Sequence, residues 1–246
     1  PVGPFFHTAT TVRDITAMLV FTRTSRIGNN LWRWIATLLS RRFGTAFWPL
    51  LLPPEGCLWP PTTSRIPSIG TVTGDCRSYL IHAILAGRTA VGERVWDMMR
   101  LIDWASDLPE VTTETLLMMG NSGGGVVTMY TAACDQRIVM AVPSCSFSVI
   151  ANPQGRIYHC DCCAVPGILR WGQLYDVCGL IAPRRLLVVN GIKDQLHSET
   201  EIARSAERVD TIFDAAGVPD HFQHRWGSEG HRFYSELMWP IIMSAI

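Results

Sequence analysis

Three residues of the chain have the side-chain types that nucleophilic catalysis requires. Ser122 lies in the segment GNSGG at residues 120–124, which matches the pattern G-x-S-x-G. Asp194 follows the apolar run 186–190, and His231 lies in the segment EGH at residues 229–231. A serine hydroxyl is a weak nucleophile at neutral pH, so it needs a base, and the base needs a group that holds its tautomer. We therefore predict Ser122 as nucleophile, His231 as base and Asp194 as acid.

The residues around Ser122 favour a sharp turn between a strand and a helix. An apolar run ends at Gly120, and a helical pattern starts with the three glycines 123–125. Small neighbours let a strand and a helix approach closely while the serine Oγ stands clear of the sheet. The alternative is a glycine-rich turn whose serine only caps the following helix. The motif taken alone leaves both interpretations open.

Other ionisable residues compete for the roles of base and acid. His221 and His224 lie in the predicted last strand, and His197 lies on the loop of Asp194. His159 lies beside a cysteine cluster, and His7 and His82 have no supporting context. Asp210, Asp214 and Asp220 are expected on solvated surfaces, and Asp176 ranks below Asp194. We therefore keep Asp194 and His231 as the predicted pair.

Apolar runs alternate with helical patterns along the chain, which predicts an α/β fold with a mostly parallel sheet and helices on both faces. The predicted strands are 16–22, 112–119, 137–143, 186–190 and 222–226. The predicted helices are 30–39, 77–85 (a helix or a loop), 91–105, 123–134, 168–180, 198–216 and 232–242, with mostly loop at 47–67 and irregular structure at 144–164. Functional residues of such sheets lie beyond the carboxyl ends of the strands, where Ser122, Asp194 and His231 are all expected.

Composition narrows the classes of partner. The chain has 246 residues with 21 basic and 21 acidic side chains, and it shows no basic stripe interleaved with aromatic residues. Nucleic acid is therefore an unexpected partner. The apolar runs are too short to span a bilayer and no signal peptide is recognised, so we expect no membrane partner and favour a cytoplasmic location. The oligomeric state is left open, with a homo-oligomer among the alternatives.

The segment HCDCC at residues 159–163 invites comparison with a zinc site. Structural zinc sites take paired C-x-x-C knuckles or a second ligand pair at a distance, and this crowded segment has neither. We therefore predict no metal site here, but a loop with part-buried free thiols.

Trp171 and Tyr175 have helical spacing and are expected to pack, with lining of a substrate pocket as the alternative.

Residues 76–243 resemble the dienelactone hydrolase and acetyl xylan esterase-like branch of the α/β-hydrolase superfamily. The resemblance rests on GRTAVGERVWDMMRLIDW at 87–104, GNSGGG at 120–125, VPGILRWGQLYDVCGLIAPRRLLVVNGIKD at 165–194 and EGHRF at 229–233. It implies a serine carboxylester hydrolase without a cofactor, acting on small-molecule or carbohydrate esters. By matching motifs it implies Ser122 as nucleophile, Asp194 as acid and His231 as base, which is also the superfamily's chain order.

The departure from this family lies in the N-terminal part. Residues 1–75 contain no His-Gly pair, although the superfamily usually carries an HG-type turn that donates one backbone N–H to the oxyanion hole. The backbone N–H of Gly123 supplies one predicted donor, and the second donor is unknown. We interpret residues 1–246 as a single domain with an atypical part, 1–75, and a catalytic part, 76–246. A diverged or frame-shifted segment is our hypothesis for the atypical part.

The predicted reaction is hydrolysis of short-chain, acetyl-type esters through an acyl-enzyme. Two alternatives stay open from the sequence. A peptidase of the prolyl oligopeptidase type would use the same three residue types. A catalytically impaired hydrolase, kept as a binding protein, would account for the atypical first 75 residues.

Overall fold

The computed structural model describes residues 16–23, 56–58, 62–63, 76–107 and 111–245. Its strands are β1 (Thr16–Arg23), β2 (Gly56–Leu58), β3 (Thr62–Thr63), β4 (Val111–Asn121), β5 (Met140–Ser144), β6 (Arg185–Gly191) and β7 (Phe222–Gly227). Its α-helices are α1 (Cys76–Leu85), α2 (Ala90–Ser106), α3 (Gly123–Cys134), α4 (Leu174–Gly179), α5 (Glu199–Ala215) and α6 (Ser235–Ala245). Short 3₁₀ turns lie at Asp161–Cys163, Ile168–Arg170 and Pro219–His221.

The strands form one sheet in the order β2-β1-β4-β5-β6-β7, and β3 pairs with β1. Strands β4 to β7 are parallel, whereas β1 runs antiparallel to β4. The predicted mostly parallel sheet is therefore confirmed, with an antiparallel edge on the side of β1. In the parallel part every carboxyl end lies at the same edge of the sheet. The residues paired at these ends are Asn121 with Ser144, Ser144 with Val189 and Gly191 with Gly227.

Both faces of the parallel strands are covered by apolar side chains and helices, as the fold class predicts. Because successive strand residues point to opposite faces, neighbouring residues enter different clusters. One face packs against α1 to α5 and includes Leu116, Met118, Leu186 and Val188. The opposite face packs against α6 and includes Leu117, Met119, Leu187 and Val189. A buried side chain of this size stabilises the fold by roughly 1.5–3 kcal/mol.

Local sequence explains why the two long helices start where they do. The side chain of Thr89 accepts a hydrogen bond from the backbone N–H of Gly92 at 3.0 Å and caps α2. The side chain of Ser198 accepts one from the N–H of Glu201 at the start of α5. Such caps satisfy helix donors that lack an internal partner. Each helix then buries an apolar stripe against the sheet, which fixes the loops that precede and follow it.

Most predicted elements are confirmed, including the strand at 16–22, and the uncertain segment 77–85 is a helix. The prediction of one helix over 168–180 is wrong. The capping box between Gln173 and Asp176 starts a new helix, so the segment is a 3₁₀ turn followed by α4. The last helix begins at Ser235 rather than residue 232. Strands β2 and β3 interrupt the predicted loop 47–67.

Some predictions fall outside the described residues or concern exposure. The predicted helix at 30–39 lies outside them, and the assignment of residues 1–246 to a single domain stays a prediction. Trp171 is 88% exposed, so the expectation that it packs is wrong, whereas Tyr175 packs partly buried against the core. Among the described helices, none has the length and apolar character needed to cross a membrane.

The close approach of β4 and α3 predicts that Gly120 tolerates no side chain. A Cβ added there would lie 2.4 Å from the backbone carbon of Gly124. Because both atoms belong to rigid elements, Gly120→Ala is expected to lower the free energy of unfolding by about 1–3 kcal/mol. Urea denaturation followed by circular dichroism measures this change.

Gly230→Ala is the matched control, since its added Cβ would meet nothing nearer than 3.6 Å. It should change the free energy of unfolding by less than about 1 kcal/mol. Equal losses in the two variants would contradict a steric role for Gly120.

Candidate active site

Ser122 lies in the tight turn between β4 and α3. Its φ of 56° and ψ of −125° are values that residues with a Cβ rarely adopt. The turn is held by a hydrogen bond of 2.9 Å from the Ser122 N–H to the Ser144 carbonyl oxygen at the end of β5. The Ser122 side chain makes no hydrogen bond that caps α3. The alternative of a helix-capping serine is therefore wrong, and the backbone has the strained geometry that the motif predicts for a sharp strand-to-helix turn.

Small residues make this turn sterically feasible. Added Cβ atoms would lie 2.4 Å from the backbone of Gly124 if placed on Gly120, and 2.0 Å from the Ser146 Oγ if placed on Gly125. The glycines of the motif therefore allow close contact among β4, α3 and the loop after β5. This contact fixes the position of Ser122 at the edge of the sheet.

Asp194 and His231 form a direct hydrogen bond. The distance between His231 Nδ1 and Asp194 Oδ2 is 2.6 Å. The Asp194 side chain is 1% exposed, whereas that of His231 is 27% exposed. The other carboxylate oxygen, Oδ1, accepts a hydrogen bond from the Leu196 N–H at 2.9 Å. A buried carboxylate thus fixes the orientation of a histidine that solvent and small molecules can reach.

Electrostatics keep Asp194 ionised. Burial alone would raise the pKa of this carboxyl, but the hydrogen bond with His231 and the Leu196 N–H outweigh burial, and the net effect is a lowered pKa. A carboxylate that accepts such hydrogen bonds favours its charged form. Asp194 is therefore negative at neutral pH and can stabilise a proton held by His231.

Ser122 and the Asp194–His231 pair lie at the same edge of the sheet. Ser122 follows β4, Asp194 follows β6 and His231 follows β7, and these strands are parallel through β5. Ser144 links the two sides, because its carbonyl accepts from the Ser122 N–H and its Oγ donates to the Arg232 carbonyl at 3.2 Å. The structure therefore brings the three predicted residues to one edge.

Cys145 is a neighbour of the pair that sequence reasoning missed. It follows β5 directly and has a positive φ of 47°. Its Sγ, a carboxylate oxygen of Asp194 and a ring nitrogen of His231 lie within 4.8 Å of one another. The thiol also contacts the Arg232 carbonyl at 3.2 Å. The only clue in the sequence was its position directly after an apolar strand. That position alone does not distinguish a cysteine near a site from any other cysteine.

A second histidine, His197, lies beside His231, and His159 lies next to His197. The His197 Nε2 lies 3.1 Å from the Cys145 carbonyl oxygen. Its ring centroid lies 6.3 Å from that of His231 and 5.5 Å from that of His159. Burial lowers the pKa of both, that of His159 to about 3, so both are neutral at neutral pH. His197 therefore adds a polar group beside the pair without adding charge.

The remaining competitors have other roles or positions. His224 Nε2 lies 3.2 Å from Asn190 Oδ1, and His221 contacts the Pro183 carbonyl. Asp176 accepts a hydrogen bond from the Gln173 N–H and caps α4. Asp210, Asp214 and Asp220 are exposed, as expected, and His7 lies outside the described residues.

The structure describes one predicted oxyanion donor, Gly123. Gly123 is buried and is the first residue of α3, where backbone N–H groups lack partners within the helix. Its N–H directly follows the predicted nucleophile, which is the position of one oxyanion donor in a G-x-S-x-G turn. The second donor stays unassigned.

The strain at Ser122 predicts an unusual order of stability. Ser122→Gly should be more stable than Ser122→Ala by about 1 kcal/mol, because glycine adopts a positive φ without the steric penalty of about 1–3 kcal/mol. Urea denaturation of the two variants measures the difference. Both lack the hydroxyl, so each serves as the other's control, and a less stable glycine variant would contradict the strained turn.

Buried neutral histidines predict that stability falls in acid. Burial lowers the pKa of His159 to about 3 and of His224 to about 4, from an unfolded value of 6.5. Between pH 6.5 and about 4 the unfolded chain therefore binds more protons than the native one, so the free energy of unfolding decreases as pH falls. Urea denaturation at several pH values measures the slope.

The variant His224→Gln should flatten this slope between pH 6.5 and 4. His82→Gln is the control, since His82 is exposed on α1 and loses little solvent on folding. An unchanged slope in His224→Gln would argue against burial as the cause.

No protein-family model matches the chain. The chain is similar to the protein named "Putative hydrolase YtaP" of Bacillus subtilis (strain 168), with 24% identity over 151 residues. That match covers 60% of this chain and 50% of the Bacillus protein.

Two solved structures share the architecture. The glucuronoyl esterase catalytic domain from Hypocrea jecorina has a TM-score of 0.54 and 20% identity, covering 63% of this chain and 50% of that one. A "putative acetyl xylan esterase" from Bacteroides fragilis NCTC 9343 has a TM-score of 0.55 and 14% identity, covering 70% and 53%. The chain thus spans about half the length of these relatives. The fold implied by the sequence resemblance is confirmed: the chain has the α/β-hydrolase fold.

Proposed function

We propose that the chain is a serine carboxylester hydrolase that acts through an acyl-enzyme on short-chain, acetyl-type esters. The observation that carries the proposal is the 2.6 Å hydrogen bond between buried Asp194 and His231, at the sheet edge where Ser122 occupies its strained turn. In this proposal Ser122 is the nucleophile, His231 the base and Asp194 the acid.

The first half of the reaction forms the acyl-enzyme. The Nε2 of His231 takes the proton of Ser122 Oγ while its Nδ1–H stays bonded to Asp194. Ser122 Oγ then attacks the ester carbonyl, and the N–H of Gly123 donates to the developing oxyanion. His231 next gives its proton to the leaving alcohol. The buried negative charge of Asp194 stabilises His231 while it carries that proton.

The second half regenerates the enzyme. Water takes the place of the alcohol, loses a proton to His231 and attacks the acyl carbonyl. The proton then returns to Ser122 Oγ as the acid leaves. These steps involve no cofactor, because every proton passes among Ser122, His231, the leaving alcohol and water.

The names of the relatives favour an ester over a peptide substrate. The two solved structures are described as a glucuronoyl esterase and a "putative acetyl xylan esterase", and both names denote ester hydrolysis. A small-molecule or carbohydrate ester is therefore the proposed substrate class, with acetyl as the proposed acyl group. The structural similarity supports the fold, and an assay of ester hydrolysis tests the proposed substrate class.

Replacement of the nucleophile is expected to abolish turnover. Ser122→Ala should lower kcat for 4-nitrophenyl acetate by roughly a millionfold, to the background rate, because no acyl-enzyme can form. Asp194→Asn should lower kcat by about 10⁴-fold, since the tautomer of His231 is then wrongly held. Release of 4-nitrophenol, with its pre-steady-state burst, measures both.

The control is Asp176→Asn, a capping carboxylate of α4 that lies outside the pair. It should keep the activity of the unchanged protein. Equal, background hydrolysis by the unchanged protein and Ser122→Ala would refute the esterase and favour an impaired hydrolase fold. Cleavage of aminoacyl arylamides without cleavage of acetyl esters would favour the peptidase.

A further inference from the structure

The turn Cys160-Asp161-Cys162-Cys163, here called the thiol turn, brings three sulfur atoms together. Cys160 Sγ lies 3.0 Å from Cys162 Sγ and 3.6 Å from Cys163 Sγ, and all three lie within 4.8 Å of one another. A 3₁₀ turn fixes this arrangement, because the Cys163 N–H donates to the Cys160 carbonyl at 2.9 Å. The crowding that argued against a zinc knuckle from sequence is what makes the sulfurs converge.

These distances suit a single metal ion. Three sulfurs bound at about 2.3 Å around one ion in a plane would lie about 4 Å apart. Two of the sulfur separations, 3.0 and 3.6 Å, are shorter than that value and the third is at most 4.8 Å, so side-chain rotations that move the sulfurs slightly apart would complete the coordination. His159 is the neighbouring residue, but it does not belong to the group of three ligand atoms. The donor set among the described residues is therefore all sulfur.

A largely buried cation lies beside the thiol turn. The Arg94 guanidinium on α2 donates from Nη1 to Cys162 Sγ at 3.1 Å. The Arg94 Nε is buried without a hydrogen-bond partner among the described residues, so this cation has a spare donor for a negative site. Cys160 is exposed and provides a route of entry.

We propose that the thiol turn binds one soft, thiophilic cation of the Cu(I) type through the sulfurs of Cys160, Cys162 and Cys163. Soft thiolate donors select soft ions, and structural zinc takes four ligands where this turn offers three. One monovalent cation with three thiolates carries two net negative charges, and Arg94 balances one of them. Arg94 is thus a positioning residue that contacts the ligand sulfur rather than the ion.

The bound ion would fix the thiol turn against the two helices beside it. Arg94 ties Cys162 to α2, and Arg77 on α1 lies 3.7 Å from Asp161. The site uses none of Ser122, Asp194 or His231. Its existence therefore does not depend on the esterase reaction, and either proposal can fail without the other.

A competition titration tests the site on the full chain. The protein is reduced, freed of reductant without oxygen, and titrated with Cu(I) against the chromogenic chelator bicinchoninate. We expect the unchanged protein to withhold one equivalent of Cu(I). Cys162→Ser should weaken binding by at least about 100-fold, since loss of an outer-shell partner alone costs 10- to 100-fold. Arg94→Met, which keeps the apolar stem, should weaken it by about tenfold.

Matched controls separate the thiol turn from other thiols. Cys134→Ser removes an exposed cysteine outside the thiol turn and should leave the titration unchanged. Ser122→Ala should also bind normally while losing ester hydrolysis, which keeps this test apart from that of the proposed function. Circular dichroism of Cys162→Ser checks that weaker binding is not loss of fold.

Three results would overturn the assignment of the thiol turn as a Cu(I) site. Equal retention of Cu(I) by the unchanged protein and Cys162→Ser would exclude the thiol turn as the site. Binding of Zn²⁺ in place of Cu(I) would contradict the soft, three-coordinate assignment. Mass spectrometry of protein prepared without oxygen that shows Cys160 joined to Cys163 as a disulfide would likewise contradict it. X-ray absorption that shows three sulfurs around bound copper would support it.

Discussion

The close contact between β4 and α3 at Ser122 is the constraint on which the candidate site depends. Gly120 lies so near the backbone of Gly124 that no larger residue fits without a shift of the strand or the helix. This contact holds Ser122 at a positive φ and ties its N–H to the end of β5. The strained residue is therefore kept in place by the packing of rigid elements on both sides, as strain at functional sites requires.

Parallel pairing from β4 to β7 then positions the other two residues of the candidate site, Asp194 and His231. It places the loops after β6 and β7 at the edge that also holds Ser122. Asp194 is almost fully buried, and its ionised form is retained because hydrogen bonds replace the water it has lost. The exposed side of His231 stays reachable while its Nδ1 is held. The geometry of the candidate site thus follows from strand order and two buried hydrogen bonds.

The cysteines illustrate how position decides the character of a thiol. Cys145 lies buried beside Asp194 and His231, and burial raises the pKa of its thiol, so it remains a neutral neighbour of the pair. The thiol turn instead gathers three sulfurs under a guanidinium. The same side chain therefore packs beside the candidate active site and forms a candidate metal site elsewhere in the chain.

From its residue patterns the sequence predicted the parallel sheet and most helix and strand positions. It also predicted the three residues of the candidate site, which the structure brings to one edge of the sheet. It could do so because apolar periodicity, helix caps and the glycines around Ser122 are local signals. Only the tertiary structure decided which groups meet across the fold. The bond between Asp194 and His231 joins residues far apart in the chain, and the approach of Arg94 to Cys162 does the same. Such contacts depend on strand order and helix packing, which no local pattern specifies.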